Sequence, residues 1–333
     1  MKKLLLASAV AALSVSAAQA APTVYGKVFL TVDAQSTDTD TTDKATNTTT
    51  STDSKSRPGL NSNASRIGFK GGEALTANTD LIYQLEYGVD VANGGGAQFN
   101  SRDTYLGLAN AQLGTIMAGR LTAIDGAVDY ANVTAGGVLG GDGVQASFDA
   151  PRANNAFAYA SPDYDGMQVL AMYSLDADKS GREFAGIAGK YEPAGQPFKA
   201  GASYIHGASA GVGSMKDAIR VSGAYTVSPE ITVGALYQVT DYETDDKENA
   251  FTVSGEMATA TPWTAYAQGD MVSNVSGAKD ADAFRVAVGG KYAFNKATTG
   301  HVYGAFGKTE EENIATKTEM TGFGIGGGLE YKF

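Results

Sequence analysis

Residues 322–333, Gly-Phe-Gly-Ile-Gly-Gly-Gly-Leu-Glu-Tyr-Lys-Phe, decide the fold class. One parity reads Phe323, Ile325, Gly327, Leu329, Tyr331, Phe333; the other reads Gly322, Gly324, Gly326, Gly328, Glu330, Lys332. Successive side chains of a β-strand face opposite sides. Such a strand has one apolar face with an aromatic end and one face that is small or charged. That division suits lipid on one side and water on the other, as in a transmembrane β-barrel. Gly322 to Gly327 also spells G-x-G-x-x-G, but a dinucleotide site needs a strand, a tight turn and then a helix. Here the glycines fall within one alternating strand.

Moving upstream, the prolines set a beat. Turn regions follow one another at Pro162, Pro193 to Pro197, Pro229 and Pro262, with Phe294-Asn295-Lys296 continuing the series. Proline is disfavoured in central strands and favoured in turns. The interval is about 33 residues, the size of a hairpin with two strands of about 10 residues, one long connection and one short. Tyr159, Tyr191, Tyr225 and Tyr292 precede turns and Trp263 follows one, which reads as an interfacial aromatic girdle.

Extended over the chain, the pattern predicts 16 strands near 23–34, 65–75, 79–90, 101–110, 114–124, 152–161, 167–175, 182–192, 197–207, 217–228, 231–242, 249–259, 263–273, 282–294, 299–308 and 320–333. Short turns alternate with longer polar loops at 35–64, 91–100, 125–151, 176–181, 208–216, 243–248, 274–281 and 309–319. Short turns belong on the periplasmic side and long loops outside, which would put both termini in the periplasm. The expected architecture is all-β, a single 16-stranded antiparallel transmembrane barrel.

The N-terminus reads as an export signal. Lys2 and Lys3 form a basic region, Leu4 to Val15 an apolar run, and Ala18-Gln19-Ala20 an A-x-A cleavage site. Residues 1–20 are therefore expected to be removed, leaving 21–333 as the barrel domain. Loss of the two lysines takes the formal charge from −11 to −13. Beyond that segment no stretch approaches the roughly 20 apolar residues of a membrane helix. The chain has no cysteine, which excludes disulfide scaffolds and thiol chemistry. His206 and His301 are its only histidines, too few for a multi-histidine metal centre. No cofactor, metal or nucleic-acid partner is expected.

Two loops stand out. Residues 35–56 are nearly all Thr, Asp, Ser, Asn and Lys; such a stretch cannot bury enough apolar surface to order itself, so a flexible external loop is expected. Its carboxylates, Asp38, Asp40, Asp43 and Asp53, lack the spacing of a calcium loop. Residues 125–151 are glycine-rich yet hold Val133, Val138, Leu139, Val144 and Phe148. An exposed loop has no use for these side chains, whereas a loop folded inward against a barrel wall does.

At this point the chain resembles the general Gram-negative porins, the 16-stranded trimeric family. The segments that carry the likeness are Val24-Tyr25-Gly26-Lys27, Ser65 to Gly71 (SRIGFKG), Arg102 to Leu108 (RDTYLGL), Gly114 to Arg120 (GTIMAGR), Arg152 to Tyr159 (RANNAFAY) and Leu329 to Phe333. The resemblance implies an outer-membrane homotrimer, set among lipid and lipopolysaccharide, that passes small hydrophilic solutes and ions by passive diffusion. It implies a constriction made by the third external loop. It also implies recognition of Leu329, Tyr331 and Phe333 by the periplasmic and barrel-assembly machinery.

Parity places the lumen charges. Val24, Val28, Leu30 and Val32 share an outward face, leaving Tyr25, Lys27, Phe29 and Thr31 inward; Ile67 and Phe69 outward leave Arg66, Gly68 and Lys70 inward. If Tyr105 faces outward, Arg102 faces inward. A charge facing lipid near the midplane costs about 2–4 kcal/mol, which favours these placements. Matching the family suggests Lys27, Arg66, Arg102 and Arg152 as a basic wall, with Arg120 a fifth member. Facing them, the family places loop carboxylates, here Asp125, Asp129, Asp142 and Asp149, with Asp142 in Gly-Gly-Asp-Gly at the tip. Cations facing anions across a gap create a transverse field that orients dipolar solutes. The rival readings are a substrate-specific outer-membrane channel and an outer-membrane barrel enzyme.

Overall fold

The computed structural model describes residues 22–94, 98–175, 184–207, 215–244 and 246–333. The expected signal sequence at 1–20, the loop at 176–181 and most of that at 208–216 lie outside these residues. The chain enters β1 (Thr23–Asp43) and returns as three successive pieces, β2 (Thr48–Lys55), β3 (Gly59–Ser62) and β4 (Arg66–Thr76), each paired antiparallel with β1. A meander follows through β5 (Thr79–Val89), β6 (Phe99–Asn110), β7 (Gly114–Thr122), β8 (Arg152–Ala160), β9 (Met167–Ser174) and β10 (Phe184–Tyr191). It continues through β11 (Phe198–His206), β12 (Asp217–Thr226), β13 (Ile231–Asp241), β14 (Lys247–Ala258), β15 (Trp263–Ser273), β16 (Ala281–Ala293), β17 (Thr298–Glu312) and β18 (Thr316–Lys332). Each strand pairs with the next, and β18 closes on β1 from Lys27↔Lys332 to Asp43↔Thr316. The three returning pieces make one span, so the 18 segments form a closed antiparallel barrel of 16. Closure leaves no unpaired edge along the spans, which is what a lipid environment requires of a sheet.

The alternation read from residues 322–333 holds in three dimensions. Phe323, Ile325, Leu329 and Tyr331 are about half exposed on the outer surface, while Glu330 is buried. In β1, Val24 and Val32 are exposed, whereas Lys27, Phe29, Thr31 and Asp33 are buried. The same alternation continues through Ile219, Val221, Phe251, Val253, Phe284 and Val286 outside and Arg220, Thr252 and Arg285 inside. Exposed apolar side chains form the band that meets lipid, and the polar set faces the interior.

Two expectations require correction. Residues 35–56 are not a flexible loop: β1 runs on to Asp43, and β2 pairs with it from Ser36↔Lys55 to Asp43↔Thr48. Composition bears on burial, but this hairpin orders through its backbone. β18 pairs along the same length of β1, and threonine is a favoured strand residue. Lys44 adds an ion pair of 2.8 Å to Glu312 at the tip. The outer loop expected at 309–319 shrinks accordingly, because β17 and β18 extend to Glu312 and from Thr316.

The second correction concerns β6. Leu106 and Leu108 are the exposed residues, so Tyr105 faces inward, where it packs on the interior cluster of Leu121, Ile124 and Phe148. Arg102 nevertheless reaches the interior as well. The ladder steps from Leu85↔Thr104 to Tyr87↔Ser101, so Arg102 and Asp103 together stand opposite the single residue Glu86. A bulge of this kind re-aims side chains that strict alternation would send elsewhere.

Candidate functional site

Between β7 and β8 the chain makes two short 3-10 turns, Ile124–Val128 and Val138–Gly140. The first packs against β9 to β12 and the second against β17, β18 and β1. Ile124, Val128, Val138, Val144 and Phe148 are buried there. The glycines of the opening stretch make room for this contact. A Cβ on Gly322 would lie 2.8 Å from Leu139 Cδ2, and one on Gly324 would lie 2.8 Å from Val138 Cβ. Gly201 does the same beneath Val128, at 2.6 Å from Cγ1. Close approach of the loop therefore depends on positions that carry no side chain.

Polar side chains from successive strands hold the backbone of this segment. Ser222 Oγ accepts from Tyr130 N at 3.0 Å, and Gln268 Oε1 accepts from Val133 N at 3.0 Å. Glu248 accepts from Ser147 N at 2.9 Å, and Gln238 donates to Phe148 O at 2.6 Å. Arg285 pairs with Asp270 at 2.8 Å while donating to Gly141 O at 3.0 Å and Gly143 O at 2.6 Å. Arg220 pairs with Asp149 at 2.8 Å and Asp125 at 3.4 Å. Burying polar groups is costly unless they are satisfied in this way.

The sequence singled out none of these anchors, and all sit on the inner parity of otherwise small or apolar strands. That was the available signal: a lone polar side chain facing a wet lumen looks no different from one that grips a loop.

Four of the five expected basic residues come together on one sector. Arg102 Nε lies 2.6 Å from Glu86 Oε1 and Arg66 Nε lies 3.6 Å from Glu86 Oε2, which also accepts from Tyr25 OH at 3.0 Å. Arg152 Nε reaches Asp103 Oδ1 at 2.9 Å, and Thr122 donates to the same carboxylate at 2.7 Å. Lys27 lies over the Phe29 ring, 5.4 Å from its centre, and 3.6 Å from Glu330. Arg120 stands apart. It opposes Thr104, which opposes outward-facing Leu85, and it donates to Ser101 O and to Asn154 Oδ1. Glu86 and Asp103, absent from the sequence reading, are the carboxylates that fix the arginines.

The four loop carboxylates separate into different environments. Asp125 is fully buried, and burial pushes its carboxyl up to about 6 against the pull of Arg220. Asp129 accepts from Ala131 N and Asn132 N and so closes a local turn. Asp149 belongs to the Arg220 pair. Asp142 alone is exposed, and it acts electrostatically on Lys27; its Oδ1 accepts from Asn132 Nδ2 at 3.0 Å. Of the expected acidic set, it is the member within reach of the basic sector.

A family model described as Gram-negative porin matches residues 6–313. The major outer membrane protein P.IB of Neisseria lactamica is 28% identical over 361 residues, covering 100% of both chains. P.IA of Neisseria meningitidis serogroup B / serotype 15 (strain H44/76) is 24% identical, covering 84% of each. Among solved structures, the anion-selective porin from Comamonas acidovorans superposes with a TM-score of 0.69 at 18% identity, covering 94% of this chain and 99% of the other. Outer-membrane expressed OmpT of Vibrio cholerae gives 0.68 at 18% identity, covering 96% and 99%.

Proposed function

The chain belongs to the Gram-negative porin family, and from that premise we propose how it conducts. It is an outer-membrane channel. We assign it passive diffusion of small hydrophilic solutes and ions, through a lumen narrowed by residues 123–151. Lys27, Arg66, Arg102 and Arg152 form the basic side of the narrowing and Asp142 the acidic side. One observation carries this reading: buried side chains of five successive strands, β12 to β16, grip the segment's backbone. The arginines stand on β4, β6 and β8, in the other half of the barrel. A fixed loop facing fixed cations gives a standing transverse field.

The mature protein is proposed to begin after Ala20, to assemble as a homotrimer and to keep both termini in the periplasm. The A-x-A site and the family support these points. Recording from refolded protein in planar bilayers tests the reading. Stepwise conductance in multiples of three is expected, and absence of conductance overturns it. Arg66→Ala and Arg102→Ala should both alter conductance or the anion/cation permeability ratio. If neither changes, the constriction assignment is wrong.

A further inference from the structure

On the outer surface, at the end of the barrel that carries the termini, lies a cleft of about 440 Å³ that conduction does not use. Trp263, Tyr292 and Phe294 wall one side, and Val302 and Leu329 the other. The rings pack edge to face, Trp263 on Tyr292 at 5.1 Å and Tyr292 on Phe294 at 4.7 Å. The hollow has a simple origin in the ladder. Trp263 pairs with Tyr292, Tyr292 with Gly300, and Gly300 with Leu329, so the row of outward side chains is interrupted at Gly300. A Cβ there would already lie 3.0 Å from Phe294 Cε2.

Lys296 is exposed in the turn two residues beyond Phe294. The neighbouring lysines are engaged, Lys291 by Glu256 at 2.8 Å and Lys332 by Glu330 at 2.7 Å. Lys296 has no such partner among the described residues. We propose that this cleft holds one acyl chain of an anionic phospholipid whose phosphate meets Lys296. The walls belong to the lipid-facing band, with Phe294, Val302 and Leu329 each more than half exposed, and aromatic side chains settle at the membrane–water boundary. A second barrel packed here would leave a hollow at Gly300, and packed protein surfaces leave few such voids. A flexible chain fills it, and one interfacial lysine favours an anionic headgroup.

Trp263 is the chain's only tryptophan, so its fluorescence reports on the cleft. The protein is refolded into phosphatidylcholine vesicles carrying a small fraction of acyl-brominated phosphatidylglycerol or brominated phosphatidylcholine. Brominated phosphatidylglycerol should quench as though enriched about fivefold at the cleft, the worth of one lysine near the surface. Lys296→Gln should abolish that preference, and Gly300→Leu should reduce quenching by both lipids. Equal quenching by the two lipids overturns the proposal. Absence of quenching by either also overturns it and points to a second copy over the cleft. If Gly300→Leu does not fold, Lys296→Gln decides. Conductance is expected to be unchanged in both variants, so the outcome is independent of the channel assignment.

Discussion

Arg220 Nη2 lies 2.8 Å from Asp149 Oδ1 and so ties β12 to the far end of the segment that leaves β7. At the near end, Asp125 Oδ2 is 3.4 Å from the same nitrogen, and Gln238 Oε1 accepts from Nε at 2.7 Å. One buried guanidinium therefore spans both ends of the loop. Burying these charges carries a large desolvation penalty, offset only while the guanidinium and an acidic partner are both present.

Arg220→Met should consequently strand two carboxylates, one of them fully buried. Loss of one partner of a buried ion pair costs about 3–5 kcal/mol. Urea titrations followed by the mobility difference between folded and unfolded barrel should show a loss of that order. Arg220→Lys should recover only part of it, because one ammonium cannot serve Gln238 and both acids in the planar geometry of a guanidinium. Parental stability in Arg220→Met would show that the clamp contributes nothing.

Asp125 itself behaves differently. Its Oδ1 is buried without a hydrogen-bond partner among the described residues, and its carboxyl is raised from 3.8 to about 6. The folded state then binds a proton more readily than the unfolded chain. The stabilisation from this group is fully present below about 3.8 and is lost as pH rises through about 6. Asp125→Asn should flatten that part of the stability profile and be no less stable than the parent at pH 7, since Asp149 still holds Arg220. An unchanged slope between pH 4 and 6 would mean that Asp125 does not carry it.

The spans were legible because a half-buried strand writes its environment in every second residue. Thirteen of the sixteen fall within about two residues of the bounds read from alternation and prolines. What failed was reasoning from composition about backbone. The segment Gln35 to Ser56 buries little yet is zipped to a neighbour nearly 300 residues away, Asp38 opposite Thr321. Parity failed at one bulge, where Arg102 and Asp103 share the interior. The arginines of the basic sector were visible as misplaced charges in apolar strands. Their partners were not, because Arg102 meets Glu86 across a strand pair whose bulge alternation does not reveal; nor was the clamp in which Arg220 meets Asp149 across 71 residues.

Glu86 sets how much positive field the basic sector presents. It neutralises Arg102 directly and Arg66 more loosely, so Glu86→Gln should leave both guanidinium charges uncompensated. One unit charge acting at roughly 8 Å in water changes local ion occupancy by about twofold to threefold. The anion/cation permeability ratio, taken from reversal potentials across a salt gradient, should rise by about that factor, and Glu86→Asp should restore most of the parental value. A shift toward cations would contradict the assignment of this sector to the conduction path.

Gly324 tests whether the glycines of residues 322–333 exist for the loop or for the strand. A Cβ at Gly324 would meet Val138 Cβ at 2.8 Å and Gln35 Cβ at 3.3 Å. The backbone of β18 cannot retreat, being paired to β1 on one side and β17 on the other, so Gly324→Leu must displace Val138 and the turn that carries it. Overpacking of this kind costs about 1–3 kcal/mol, little against a closed hydrogen-bonded barrel. The variant should therefore fold and insert, but with the turn pushed off the wall into the lumen, and so with a smaller unit conductance and slower uptake of larger sugars in liposome swelling. Gly304→Ala is the matched control, since its nearest neighbour would be Gly324 O at an ordinary 3.5 Å. Parental conductance and size limit in a folded Gly324→Leu barrel would mean that residues 138–140 do not border the conducting path.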